Sequence, residues 1–388
     1  MSAKEGFCMM SVNILSASVL IFATLSFTFY QTPPANPRDE SDDTIKIGLL
    51  IPDEESRAAV RGAGLAVLNA NREGGLNGRM FRLVVRSMEG PWGTGSKQAV
   101  DLIFNEKVWA LLGSHDGRNA HLVEQAATKA TVVFVSAWSG DPTLSQAFVP
   151  WFFNCVPNDL QQAETLVEEI YERKKLAPAA VIYENDYDSK LAFTSLIRCV
   201  RQKDKSDPSH FQYDDYKNDL NKLVRHVSSI SPGCIIIFCS PEASLKIFRQ
   251  MLQSKMNLPV YGSIHLMNEN VLSDAELKNY DNNLLIPSWN RSASKTLAFY
   301  REYRKIYGAS PGLVSAYAFD GMDLIIEAVR IAGCNDREKI QKALAEMIFE
   351  GVTGTVRFDN MGNRTGKLIF TGVINGVPES APDNLPAK

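Results

Sequence analysis

From Thr44 onward, short apolar runs alternate with segments whose apolar positions recur every three to four residues. "IKIGLLI" (45–51), "FRLVVRS" (81–87), "VWALLG" (108–113) and "VVFVSA" (132–137) are runs of strand length closed by turn residues. Between them lie "SRAAVRGAGLAVLNANREGG" (56–75), "SKQAVDLIFNEK" (96–107) and "NAHLVEQAATKA" (119–130), which read as helices, the first ending at Gly74-Gly75. Continuous apolar strands, each followed by a helix, predict a parallel sheet covered on both faces, hence an α/β domain.

"WFFNCVPND" (151–159) breaks the rhythm at Pro157, and Asn158 or Asp159 is placed to cap the helix "LQQAETLVEEIYERK". A second α/β series follows: "AAVIYE", "SKLAFTSLIRCVRQ", "GCIIIFC", "PEASLKIFRQMLQSK" and "LPVYGS". Ser240 before Pro241 fits an N-cap with proline at the first helical position. The polar stretch 203–222 reads as a surface excursion. Beyond "NLLIPSW" (283–289), segments 295–308, 315–333 and 336–347 read as helices, and 353–374 as a hairpin turning at "NMGN". The repetition is of two similar α/β halves.

The N-terminus changes the picture of compartment. "VNILSASVLIFATLSFTFY" (12–30) carries no charge and approaches the roughly 20 residues that span a bilayer. It lacks a clean cleavage site and a basic start. It is either an imperfect signal peptide or an uncleaved anchor, and "QTPPANPRDESDD" (31–43) is an exposed linker. Both readings put residues 44–388 outside the cytoplasm. Lys+Arg (41) and Asp+Glu (44) nearly cancel without a basic stripe, which argues against nucleic acid as a partner. The six cysteines include no Cys-x-x-Cys pair and do not suggest a zinc site or a dense disulfide framework.

Enzyme signatures fail one by one. In "GPWGTGSKQ" (90–98), Gly90 and Gly95 have P-loop spacing, but Ser96 precedes Lys97 and Gln98 stands where a hydroxyl is needed. A slip of one residue at a helix start turns a side chain by about 100°. The five histidines make no His-Glu-x-x-His pair, and no Gly-x-Ser-x-Gly is present. The loop after the first strand, "IPDEESR", has no glycine for a pyrophosphate. No metal or organic cofactor is expected.

Two loops at strand carboxyl ends, where open α/β sheets bind ligands, attract attention: "GSHDGRN" (113–119) and "SAWSGDP" (136–142). Trp138 is either a ligand platform or a packing residue between lobes. The order of motifs from "IKIGLL" through "GAGLAVLNANREGGLNGRMFRLVVRS", "GSHDGRNAHLVEQAATKATVVFVSA", "YENDY" and "AYAFDGMDLIIEAVRIAG" to "FEGVTGTVRFDNMGNRTG" resembles the type I periplasmic binding proteins. The likeness is to the branched-chain amino-acid-binding group that serves ABC importers.

That resemblance implies two parallel-sheet α/β lobes joined by three crossings, with a ligand between them. It places lobe 1 at 44–155 and 289–348, lobe 2 at 156–288 and 349–376, and a tail at 377–388. It makes Gly90 to Ser96 a variable loop. The serine and threonine with which the family grips an amino acid correspond to Gly117 and Gly140, so both hydroxyls are missing. The second-lobe tyrosine corresponds to Tyr187, followed by Asp188 instead of glycine. The acid that pairs with an ammonium falls near Ile264 or His265, neither acidic, so it is absent or displaced.

The expected cleft residues are Asp116, Gly117, Trp138, Ser139, Gly140, Tyr187 and His265. The expected role is a non-enzymatic solute receptor working with ABC permease subunits. The ligand is left open among an amino acid, an amide, a small acid, a urea-like compound or a peptide fragment. The alternative is a membrane-tethered sensor of the same fold with a signalling partner, and an enzyme on this scaffold is the third reading.

Overall fold

A computed structural model describes residues 44–54, 56–146, 149–273, 283–289, 293–374 and 377–380. The apolar run 12–30 and its linker lie outside the described residues. Among the described residues, no helix is long and apolar enough to cross a membrane.

The chain begins with β1 (Ile45–Ile51), α1 (Arg57–Arg72), β2 (Phe81–Ser87), α2 (Thr94–Val100), β3 (Leu111–Gly113), α3 (Gly117–Lys129), β4 (Phe134–Ser136) and β5 (Phe152–Asn154). It continues with α4 (Asp159–Val167), β6 (Ala179–Tyr183), α5 (Tyr187–Gln202), β7 (Ser209–Gln212), α6 (Leu220–Ser229), β8 (Cys234–Phe238), α7 (Pro241–Gln253), β9 (Val260–Gly262), α8 (Glu269–Leu272) and β10 (Leu284–Trp289). The last elements are α9 (Ala293–Tyr307), α10 (Leu313–Ala332), α11 (Arg337–Glu346), β11 (Phe349–Gly351), β12 (Gly354–Val356), β13 (Leu368–Ile374) and β14 (Val377–Ser380).

Two sheets organise these elements. The first has the order β2-β1-β3-β4-β5, parallel throughout. The second runs β14-β13-β10-β9-β8-β6-β7, parallel from β10 to β7 and antiparallel at β13 and β14. Strand β1 shows why the apolar run is continuous. Ile45, Ile47 and Leu49 belong to one apolar cluster and Leu50 to another, since successive side chains leave a strand on opposite faces. Helix α10 is apolar on nearly every side and buried along most of its length, as a helix inside a core must be. It packs against α1 at Gly62, where a Cβ would come within 2.1 Å of the Ser315 carbonyl oxygen.

Three chain segments cross between the lobes, and Arg364 ties them together. Its fully buried guanidinium donates to the Cys155 carbonyl (3.1 Å), the Thr353 hydroxyl (2.8 Å) and the Thr353 carbonyl (3.2 Å). It also lies over the Trp289 ring at 4.7 Å, and the Trp289 indole N–H donates to the same Cys155 carbonyl. Asp320, buried on α10, accepts from the Val352 and Thr353 amides at 2.8 Å each. A buried charge is tolerable only when its hydrogen-bonding capacity is met in this way.

Several details depart from the sequence reading. The polar stretch 203–222 contributes an edge strand, β7, and leads into α6. The strand was hidden because it is largely exposed and carries no apolar alternation, whereas α6 carries apolar residues at helical spacing (Leu220, Leu223, Val224, Val227). Segment 353–374 does turn at Asp359–Asn363, but its arms do not pair as one hairpin. Strand β12 pairs with β11, and β13 with β10. Residues 377–380, read as a tail, form β14 against β13.

Candidate functional site

Asp116 caps α3, its carboxylate accepting from the Asn119 amide at 2.9 Å. Gly117 is therefore the first helical residue, with an amide left over for an acceptor. That acceptor is Asp188 on α5 of the other lobe: the Gly117 amide donates to its Oδ1 at 3.0 Å and Oδ2 at 3.3 Å. A Cβ on Gly117 would lie 2.8 Å from the Asp141 Cβ and 2.9 Å from Asp188 Oδ1. At Gly140 a Cβ would meet Asp159 Oδ1 at 2.5 Å. The missing serine and threonine are thus more than lost hydroxyls. Their space is filled by carboxylates of this chain.

Asp141 is the centre of a second cross-lobe contact. The Tyr187 hydroxyl donates to its Oδ2 at 3.0 Å, and His121 Nε2 lies 3.0 Å from the same oxygen. Hydrogen bonds that the His121 ring donates to Asp141 and Glu124 push its pKa up to about 9. Burial works against ionisation of Asp141, but donors from His121, Thr143 and Tyr187 outweigh it and hold the carboxyl below its ordinary value. Asp188 moves the other way, up to about 7, because burial and the nearby negative charge of Asp116 exceed the help of the Gly117 amide. Asp159 is pushed well up by burial and by the charges of Asp188 and Asp141. The cluster is thus a pair in hydrogen-bonded balance, Asp141 and His121, beside two carboxyls that resist ionisation.

Trp138 stacks on His265 of the second lobe, with ring centroids 5.4 Å apart and planes at 28°. Burial lowers His265 below the ordinary imidazole value. Trp138 also borders an open cavity of about 1070 Å³ whose walls include Arg57, Ser114, Glu269, Tyr303 and Gly312. Glu269, at the start of α8, reaches across to the N-terminus of α10. Its Oε1 accepts from the Gly312 amide (2.9 Å), the Ser315 amide (2.8 Å) and the Ser315 hydroxyl (2.6 Å). Burial raises the Glu269 carboxyl, an effect those donors only partly offset.

Residues 44–376 match the family of periplasmic binding proteins. The chain belongs to this family. Among solved structures it is similar to the branched-chain amino acid transporter substrate-binding protein LivJ from Streptococcus pneumoniae, determined with isoleucine. The identity is 22%, covering 87% of this chain and 98% of that one, with a TM-score of 0.74. The leucine-binding protein LivK from Thermotoga maritima gives 18% identity over 87% and 97% of the two chains, with a TM-score of 0.74. A solute-binding protein of an ABC transporter from Rhodopseudomonas palustris, solved with 3,4-dihydroxybenzoic acid, gives 16% over 87% and 97%, also at 0.74. At these identities the likeness carries the fold.

Within this periplasmic binding protein, Asp116, Gly117, Tyr187, Trp138 and His265 all stand at or beside the surface where the lobes meet. Ser139 does not open onto the cavity. It is fully buried, its hydroxyl accepting from the Asp141 amide and its carbonyl from the Asn154 side chain. Gly140 is occupied on its carbonyl by the Asp159 amide at 2.7 Å. Reading the sequence missed Asp141, Asp159 and Glu269. Glu269 lies four residues beyond His265, with one carboxylate oxygen on the N-terminus of α10. Asp141 was visible in "SAWSGDP" as the residue before proline, but only its cross-lobe partners give it a role.

Proposed function

We propose that this chain is an extracytoplasmic solute-binding protein for an ABC-type importer, which holds a small polar solute between its lobes and does not transform it. The observation that carries the reading is the cavity of about 1070 Å³ bordered by both lobes, in a family member whose lobes are hinged at three crossings. LivJ was solved with isoleucine and the Rhodopseudomonas protein with a dihydroxybenzoic acid, so family membership alone does not select a ligand. The contacts of this chain argue against an amino acid gripped at Gly117 and Gly140. Asp188 already sits on the Gly117 amide, and a ligand carboxylate there would have to displace it. The apolar run 12–30 supports export and keeps a tethered sensor as the second reading.

A thermal-shift screen of amino acids, amides, small acids and amines tests the proposal. A solute at about a hundred times its dissociation constant stabilises the folded chain by about 2.7 kcal/mol. No shift with any class would refute it. A pull-down from membranes separates the roles, since recovery of permease subunits supports import and recovery of a signalling protein supports sensing.

A further inference from the structure

Three glycines at the lobe boundary stand opposite carboxyls of the other lobe. A Cβ on Gly117 would come within 2.9 Å of Asp188 Oδ1, one on Gly140 within 2.5 Å of Asp159 Oδ1, and one on Gly312 within 2.8 Å of the Glu269 carboxyl carbon. Gly117 and Gly140 follow strands β3 and β4 of the first sheet, and Gly312 leads into α10, whose Gly321 lies against Leu112 of β3. Asp159, Asp188 and Glu269 lie at the starts of α4, α5 and α8, each leading to a strand of the second sheet.

Two of these pairs place a carboxylate on a helix start. The first amides of a helix have no partner within it, and the helix dipole favours negative charge there. The Gly117 amide, first of α3, donates to Asp188 at 3.0 and 3.3 Å. The Gly312 and Ser315 amides at the start of α10 donate to Glu269 Oε1 at 2.9 and 2.8 Å. A side chain on Gly117 or Gly312 would push the carboxylate away, so each glycine is what admits its partner. The Tyr187 hydroxyl on Asp141 and the stack of Trp138 on His265 cross the same boundary. The sequence resemblance assigns the position of Gly117 to a residue that grips the solute. In this chain the carboxylate at that position is its own.

We propose that the lobes of this protein close on each other without solute, latched by Asp188 on α3 and by Glu269 on α10. Hydrogen bonds to an ionised acceptor are the stronger kind, and the two latches stand on separate helices, so they resist opening together. A solute then enters the open cavity of about 1070 Å³ with the lobes already in contact, and its arrival leaves that contact unchanged. The inference concerns the lobes alone and does not rest on the solute-binding reading.

Hydrogen exchange at single-amide resolution tests this on the full chain, once mass spectrometry shows that no solute has copurified. A helix-start amide with no acceptor exchanges freely, because no structure has to open first. The Gly117, Gly312 and Ser315 amides should instead be protected in the solute-free protein. Asp188→Ala should speed exchange at Gly117 by about tenfold or more, the loss of one hydrogen bond to a charged group, and leave the buried Val123 of α3 unchanged. Asp188→Ala combined with Glu269→Ala should part the lobes and speed exchange of the Asp159 amide as well. That amide donates to the Gly140 carbonyl across the boundary and bonds to neither latch. Free exchange at Gly117 and Ser315 in the solute-free parent, a measurement that needs no variant, would overturn the proposal. So would protection that appears only after leucine or benzoate is added, or a folded double variant whose Asp159 amide stays as protected as in the parent.

Discussion

Asp188 is the residue whose change should report most clearly on how the lobes are held. Its carboxylate accepts from the Gly117 amide across the lobe boundary, yet burial and Asp116 push its carboxyl up to about 7 from an ordinary 3.8. A carboxyl raised in the folded state binds its proton more tightly there than in the unfolded chain. Stability is therefore highest at low pH for this group and falls as pH rises from about 4 to 7. Each unit is worth about 1.4 kcal/mol, so ionised Asp188 costs at most about 4 kcal/mol above pH 7. Asp188→Asn keeps a carbonyl oxygen for the Gly117 amide and discards the charge. Urea denaturation of both proteins from pH 4 to pH 8.5 is the assay. The variant should nearly match the parent near pH 4 and exceed it progressively toward pH 8. A variant less stable than the parent at pH 8, or a difference independent of pH, would refute the account of Asp188.

The glycines and the hinge supply further tests. Gly117→Ser with Gly140→Thr restores the hydroxyls of the resemblance, but both Cβ atoms meet Asp141, Asp188 or Asp159 within 3 Å. About 1–3 kcal/mol should be lost at each site, read by urea denaturation, with weaker binding of the native solute. Arg364→Met leaves the Cys155 and Thr353 carbonyls without this donor and Asp320 without a nearby cation, and should cost about 3–5 kcal/mol in the same assay. Replacing His121 by Ala should destabilise between about pH 5 and pH 8. The difference should shrink as pH climbs through 9, where the parent histidine also loses its charge.

The framework was legible in the sequence where burial on both faces leaves an unbroken apolar run. Strands β1, β3, β4 and β8 are of this kind, and so is the cap at Asn158, which forms a full capping box with Gln161. Legibility failed where an element gains its stability from its neighbour. Strand β7 lies at an exposed edge and is recognisable only from its pairing with β6. The loops at the lobe boundary were readable for a different reason, because loops at strand carboxyl ends have a fixed place in open α/β sheets. What fills them was not. That Asp188 would sit on the Gly117 amide, or that Glu269 would reach α10, depends on residues 71 and 43 positions apart meeting across the lobes. No local pattern encodes such a meeting.

A crystal structure of the chain grown with the solute that the thermal-shift screen selects tests the central claim most directly. The account expects the solute in the cavity beside Trp138, with Asp188 still on the Gly117 amide. A solute carboxylate on the Gly117 amide, with Asp188 displaced into solvent, would contradict it.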